Sequence, residues 1–189
     1  MDDVLILHED PRSGNCYKIR LTAALLGIPL QIRSYDIMLG ETRTPEFLAT
    51  VNANGRIPVL QIGGRFLPES NAACYYLATG SRLVPADRFD HADMLRWMFF
   101  EQYSHEPYIA VVRHWVAHLG KTPATEPQLP MRTERGYQAL AVMESHLKDN
   151  AYFAGPAYSI ADIALYAYTH VAHEGGFELG HEDIHGALG

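Results

Sequence analysis

Arg56-Ile57-Pro58-Val59-Leu60-Gln61-Ile62-Gly63-Gly64-Arg65-Phe66-Leu67-Pro68-Glu69-Ser70 is the stretch on which the fold turns. Two apolar runs, 56–62 and 65–67, flank Gly63-Gly64, and a glycine pair between such runs marks a tight hairpin. Proline cannot donate to a strand ladder, so Ile57-Pro58 marks an edge, a strand start or a cis peptide. A helix fits Ser70 to Leu77 directly after the hairpin.

Upstream, Val4-Leu5-Ile6-Leu7 fits a short buried strand, and Asp10-Pro11-Arg12-Ser13-Gly14-Asn15 supplies loop chemistry. From Cys16 to Leu26 apolar residues recur at helical spacing, and Gly27 stands where a helix C-cap is expected. Leu30 to Tyr35 alternates as a strand does, so the opening reads as a parallel strand, helix, strand crossover. A short helix around Pro45 to Thr50 completes the order β-α-β-α-β-β-α, which matches a thioredoxin-like sheet.

Downstream, Thr79 to Asp87 carries breakers, and the remainder of the chain reads as helix: Phe89 to about Leu119, Met131 to Lys148 and Ile160 to His173. Pro107 is expected to kink or split the first of these by removing one backbone donor. The expected division is an α/β unit over 1–80, a linker over 81–88 and an all-helical bundle over 89–189.

Composition bounds the function. The chain has 189 residues, 48% of them hydrophobic and 20% charged, enough apolar material for one large core or two small ones. A net charge of −7, with no run rich in Lys or Arg, argues against nucleic-acid binding, which depends on displaced counterions around a basic patch. Asp2 and Asp3 stand where a signal peptide needs positive charge, and no apolar stretch is long enough to cross a membrane. Two cysteines, Cys16 and Cys74, cannot build a disulfide framework. The expected compartment is the cytoplasm.

Chemistry concentrates in short segments. Ser13-Gly14-Asn15-Cys16 lies between the first strand and the first helix, where a hydroxyl can donate to a ligand thiolate while the helix dipole favours negative charge. Ser13 or Asn15 as a plain N-cap is the structural alternative. If Ile57-Pro58 is cis, the backbone groups of Ile57 can pair with an extended peptide ligand. At Glu69-Ser70-Asn71 the helix amides suit a carboxylate, Ser70 adds a donor and Glu69 accepts from an ammonium, which together fit one amino-acid head group. An ordinary capped helix is the alternative there. Ser159-Ile160-Ala161-Asp162 reads as a structural capping box.

In this order, these segments resemble the cytosolic glutathione S-transferase superfamily from about Val4 to Phe177, with Ser13, Gly14 and Asn15 similar to the activating serine and nearby asparagine of theta-like and bacterial nu-like members. The resemblance implies that Ser13 and Asn15 are catalytic. It implies that Ile57 and Pro58 hold the cysteinyl part of glutathione, that Glu69 and Ser70 hold its γ-glutamyl group, and that Arg56 lies near its glycyl carboxylate. Arg43 corresponds to another ligand-facing position. Implied too are glutathione as co-substrate, a small hydrophobic electrophile bound against the first long helix, and a homodimer. No tyrosine occupies the activating position, so activation by a phenol does not transfer. The chain also stops soon after Phe177, where relatives usually continue into another helix.

Several other signals compete. Tyr103, Tyr108 and Arg113 are candidate lining for the electrophile pocket, in an aromatic-rich stretch that is mostly core. Cys16, in the first turn of its helix, could form a mixed disulfide, but its position points it into helix packing. His181-Glu182-Asp183-Ile184-His185 fits the H-E-x-x-H pattern of zinc hydrolases and is read instead as a polar tail. His114 and His118, one turn apart, are read as a chance pair, and no metal is expected. The leading expectation is conjugation of glutathione to an electrophile; the alternatives are glutathione-dependent disulfide or peroxide reduction, and a non-catalytic binding module.

Overall fold

The computed structural model describes residues 4–179 of the chain and falls into two units divided between Ser81 and Arg82. In the first, strands β1 (Leu5–Glu9), β2 (Gln31–Ser34), β3 (Val59–Ile62) and β4 (Arg65–Pro68) form one sheet in the order β2-β1-β3-β4. β1 runs parallel to β2 and antiparallel to β3, and β3 and β4 form the hairpin through Gly63-Gly64. Helices α1 (Gly14–Leu26), α2 (Pro45–Thr50) and α3 (Ser70–Ala78) complete a thioredoxin-like unit.

Local chemistry explains the boundaries. Ser13 caps α1, and Gly27, at φ 66°, closes it in the left-handed conformation that a β-carbon disfavours. β3 begins at Val59 rather than 56, since Pro58 has no N–H to give a ladder; the Ile57-Pro58 peptide is cis. Leu7, Val59 and Leu60 from the strands are buried, as are Ile19 and Ala23 of α1 and Ala73 and Leu77 of α3. Burying each large aliphatic side chain contributes about 1.5–3 kcal/mol.

A polar group also sits in this sheet. His8 is buried, with Nδ1 at 2.9 Å from the Tyr35 hydroxyl and Nε2 at 2.9 Å from Gln61 Oε1. Gln61 Nε2 donates to the Gly63 carbonyl, so Oε1 is left to accept, which places the neutral imidazole proton on Nε2 and leaves Nδ1 to accept from Tyr35. Burial lowers the His8 pKa; the Gln61 hydrogen bond opposes this and nearby Arg33 reinforces it.

The second unit is helical: α4 (Arg88–Phe100), α5 (Glu106–Arg113), α6 (Leu129–Leu147) and α7 (Ile160–Thr169). The helix is not split at Pro107. A π-helical turn over Glu101–His105 joins α4 to α5, with the Glu106 amide donating to the Glu101 carbonyl five residues back. A wider turn ahead of the proline absorbs the contact that its ring would make in a regular helix. A second π turn, His114–Leu119, ends this segment. Leu83, within the stretch expected as a linker, is fully buried, and its carbonyl accepts from Ile160 N at 3.0 Å.

α7 is buried on all sides except at Tyr166, as suits a central helix. Its capping box is formed: Asp162 accepts from Ser159 N at 2.8 Å, Ser159 Oγ at 2.9 Å and Phe153 N at 2.9 Å. Burial pushes the Asp162 pKa up despite these donors. The helix ends at Thr169, earlier than expected, and a 3-10 turn at Ala172–Gly175 returns the chain onto α5 and α6. There Phe177 is buried, Glu178 N donates to the Tyr137 hydroxyl at 2.9 Å, and Arg113 Nε donates to Glu174 Oε2 at 2.8 Å. A β-carbon on Gly136 would lie 2.5 Å from Phe177 Cε1, so glycine there makes room for the ring. Among the described residues, no helix is long and apolar enough to cross a membrane.

Candidate functional site

The sheet register brings the sequence-distant segments together. His8, near the end of β1, pairs with Val59, and Val59 pairs in turn with Pro68. The loop carrying Ser13, the Ile57-Pro58 peptide and the entry to α3 at Glu69-Ser70 therefore leave one end of the sheet side by side. The N-termini of α1 and α3 are also linked directly, since Ser70 Oγ donates to Asn15 Oδ1 at 3.1 Å.

Ser13 is half-buried, and its Oγ accepts from Cys16 N at 3.3 Å. Such a cap is worth about 1 kcal/mol to the helix. The two interpretations of Ser13 are compatible, because a hydroxyl has lone pairs for the cap and one proton to donate elsewhere. Its position is set from below: Ser13 N donates to the Asp10 carbonyl at 3.0 Å. Cys16, one turn on, is fully buried, and burial pushes its thiol up to about 12, so it is no nucleophile near neutral pH.

Glu69 is the one non-glycine residue of the described chain with positive φ, at 72°, and is exposed. That conformation costs roughly 1–3 kcal/mol, a strain characteristic of binding sites. Ser70 beside it is buried. Ile57 is half-buried, Pro58 is buried and Arg56 is exposed, with the Arg56 carbonyl held by Asn52 Nδ2 at 2.9 Å. Arg43, also exposed, donates from Nη1 to the Asn54 carbonyl at 3.0 Å.

No signal along the chain announced a further cluster at this end. Arg12 lays Nε and Nη2 on the two oxygens of Asp10, at 2.9 and 2.6 Å, and Nη2 also reaches Asp36 Oδ1 at 2.7 Å. Asp10 is fully buried and accepts further from the amides of Arg12 and Ile37. Burial works against the Asp10 charge, but Arg12 and the two amides hold its pKa below the ordinary value. Arg12, then the Met38 amide, lower that of Asp36. Acidic residues flanking an arginine in sequence are too common to single this cluster out.

In the helical unit, Tyr103 and Tyr108 line one groove of about 230 Å³, together with Phe100, Arg135, Gln138 and Val142. Arg135 Nη1 donates to the Tyr108 hydroxyl at 3.1 Å. Arg113 does not join them: it is buried, and its guanidinium is engaged with Glu174. His114 and His118 have ring centroids 6.1 Å apart, and no group of three or more potential metal ligands occurs among the described residues. His181 to His185 lie outside those residues.

Two family models match the chain: Glutathione S-transferase, N-terminal domain, over residues 4–79, and Glutathione S-transferase, C-terminal domain, over residues 98–188. The chain belongs to the glutathione S-transferase family. A crystal structure of a glutathione S-transferase from Pseudomonas fluorescens Pf-5 is 50% identical, with a TM-score of 0.89, over 93% of this chain and 88% of that one. Glutathione S-transferase F10 of Arabidopsis thaliana is 33% identical over 76% of this chain and 69% of its own length. The family also reaches beyond enzymes named as transferases: a probable elongation factor 1-gamma 1 of Arabidopsis thaliana is 28% identical over 84% of this chain but only 38% of its own length.

Proposed function

We propose that the chain is a glutathione transferase that joins the sulfur of bound glutathione to a small hydrophobic electrophile. The observation that carries this is the convergence of Ser13, Ile57-Pro58 and Glu69-Ser70 at one sheet end, with Asn15 bridging α1 and α3. In this reading Glu69 takes the γ-glutamyl ammonium, while the α3 N-terminus and Ser70 take its carboxylate. The backbone of Ile57 pairs with the cysteinyl unit, and Arg56 and Arg43 serve the glycyl carboxylate.

Ser13 then donates its proton as a hydrogen bond to the thiolate, Asn15 assists, and the N-terminus of α1 favours the negative charge. The thiol proton leaves to solvent, the sulfur lone pair forms the new C–S bond, and the leaving group departs with the electrons of its bond. Holding the thiolate beside the electrophile supplies proximity. Tyr103 and Tyr108 remain candidates for electrophile contact. The proposed assembly is a homodimer, in keeping with exposed Phe89 and Phe99 on one helical segment.

The test is conjugation of an aryl halide by wild type and Ser13→Ala. The variant should bind glutathione but lose about tenfold or more in rate; an unchanged rate removes Ser13 from the mechanism. Similarity to an elongation factor subunit keeps a non-catalytic glutathione-binding module as the second reading, favoured if wild type binds glutathione without turning over any electrophile or disulfide. Reduction of a model disulfide with little conjugation would point to a reductase instead, and buried Cys16 is not its redox centre.

A further inference from the structure

Asn52 stands in the loop between α2 and β3 and ties that loop together from end to end. Its amide donates to the Phe47 carbonyl at 3.1 Å, which anchors it to α2. Its side-chain oxygen accepts from Asn54 N at 3.0 Å, and its carbonyl accepts from Gly55 N at 2.8 Å. Its side-chain nitrogen donates to the Arg56 carbonyl at 2.9 Å. Arg43 braces the same turn. It donates from Nη1 to the Asn54 carbonyl at 3.0 Å, and it lies so near Gly55 that a β-carbon there would come within 2.7 Å of Nη1. A loop closed in this way holds the Arg56 carbonyl in one direction.

That direction decides a second one. The Arg56-Ile57 peptide is trans, unlike the bond that follows it. In a planar trans peptide the C=O and N–H point opposite ways, so a carbonyl drawn towards Asn52 turns the Ile57 N–H away from it. A donor on the carbonyl also polarises the amide and makes its N–H a stronger donor in turn.

We propose that Asn52 is the positioning residue for the Ile57 N–H, aiming that donor at the cysteinyl carbonyl of bound glutathione. This rests on Ile57 being the partner of the cysteinyl unit. Asn52 acts through the Arg56-Ile57 peptide and not through the Arg56 side chain, so its effect is independent of the glycyl carboxylate.

Calorimetric titration of the full chain with glutathione and with its glycyl monoethyl ester tests this without requiring turnover. The ester keeps the cysteinyl carbonyl but loses the charge that Arg56 is proposed to meet. Asn52→Asp keeps the acceptor for Asn54 N and removes only the donor to Arg56; Asn52→Ala removes both without adding a charge, and melting curves establish that each variant folds. Each should weaken the binding of both ligands about fivefold, the scale of one neutral hydrogen bond. Asn54→Ala, which keeps the backbone bonds of the same loop, should bind both as wild type does. If wild type binds no glutathione, the functional reading of the site falls and this inference with it. If wild type binds both ligands and the Asn52 variants bind them equally well, the inference alone is overturned. A loss confined to glutathione would route Asn52 through the Arg56 side chain, and an equal loss in Asn54→Ala would make the effect one of general loop disorder; either result overturns the assignment.

Discussion

Asn15 and Ser70, fifty-five residues apart, share a hydrogen bond of 3.1 Å from the Ser70 hydroxyl to the Asn15 side-chain oxygen. It joins the first turns of α1 and α3, the two helix ends whose dipoles face the proposed ligand. Ser70→Ala removes this bond and a donor to the γ-glutamyl carboxylate, so glutathione affinity measured by calorimetry should fall about tenfold. Ser70→Thr, which keeps the hydroxyl, should restore most of it. Equal affinity in wild type and Ser70→Ala would show that the head group binds elsewhere.

Gly136 and Phe177 make a prediction about stability alone. In an ordinary helix Gly→Ala gains about 1 kcal/mol. At 136 the new methyl would meet the Phe177 ring at 2.5 Å, so Gly136→Ala should lower the melting temperature. Phe177→Ala should cost about 3–5 kcal/mol. A Gly136→Ala variant that melts higher than wild type would mean that Phe177 does not occupy this seat in solution.

Asp10 and Asp36 set an acid limit. Both have folded pKa values below their ordinary ones, so the folded state binds these protons less readily than the unfolded state. Their stabilisation is complete above the unfolded carboxylate range, near pH 4, and disappears as pH falls through the lower folded values. Urea melts between pH 5 and 2 should show this loss, and Arg12→Gln should flatten it. A variant curve parallel to wild type would assign the acid limit to other carboxylates.

His8 acts at milder pH. Its lowered pKa means that the folded state holds the neutral ring, so stability present above the unfolded value, about 6.5, declines as pH drops through it. In His8→Gln, which retains polar atoms but does not titrate, the melting temperature should change less between pH 7.5 and 5.5. Equal changes in both proteins would show that His8 does not control this range.

Much of the fold was legible because its signals are local. The β-α-β crossover, the Gly63-Gly64 hairpin and the Ser159–Asp162 capping box each arise from residues whose conformational preferences act within one turn or strand. Pro107 exposes the limit of that logic. Its missing donor was evident, but whether the helix would bend, split or widen depended on how α4 and α5 pack, and the result was a π turn. The proposed site was readable at Ser13, Ile57-Pro58 and Glu69-Ser70 because each is also a local punctuation mark: a cap, a strand start, a helix entry. Arg113 was not, since nothing near it in sequence announces Glu174, sixty-one residues away.

The order of elements, the family and the segments that carry polar chemistry were all written into the sequence, because backbone preference and hydrophobic period are properties of neighbouring residues. Packing was needed to make Arg12 clamp Asp10 to Asp36, to bring Asn15 to Ser70, and to seat Phe177 on Gly136. Those contacts join residues far apart along the chain, and their geometry is fixed only when strand register and helix packing bring them within hydrogen-bonding or van der Waals reach.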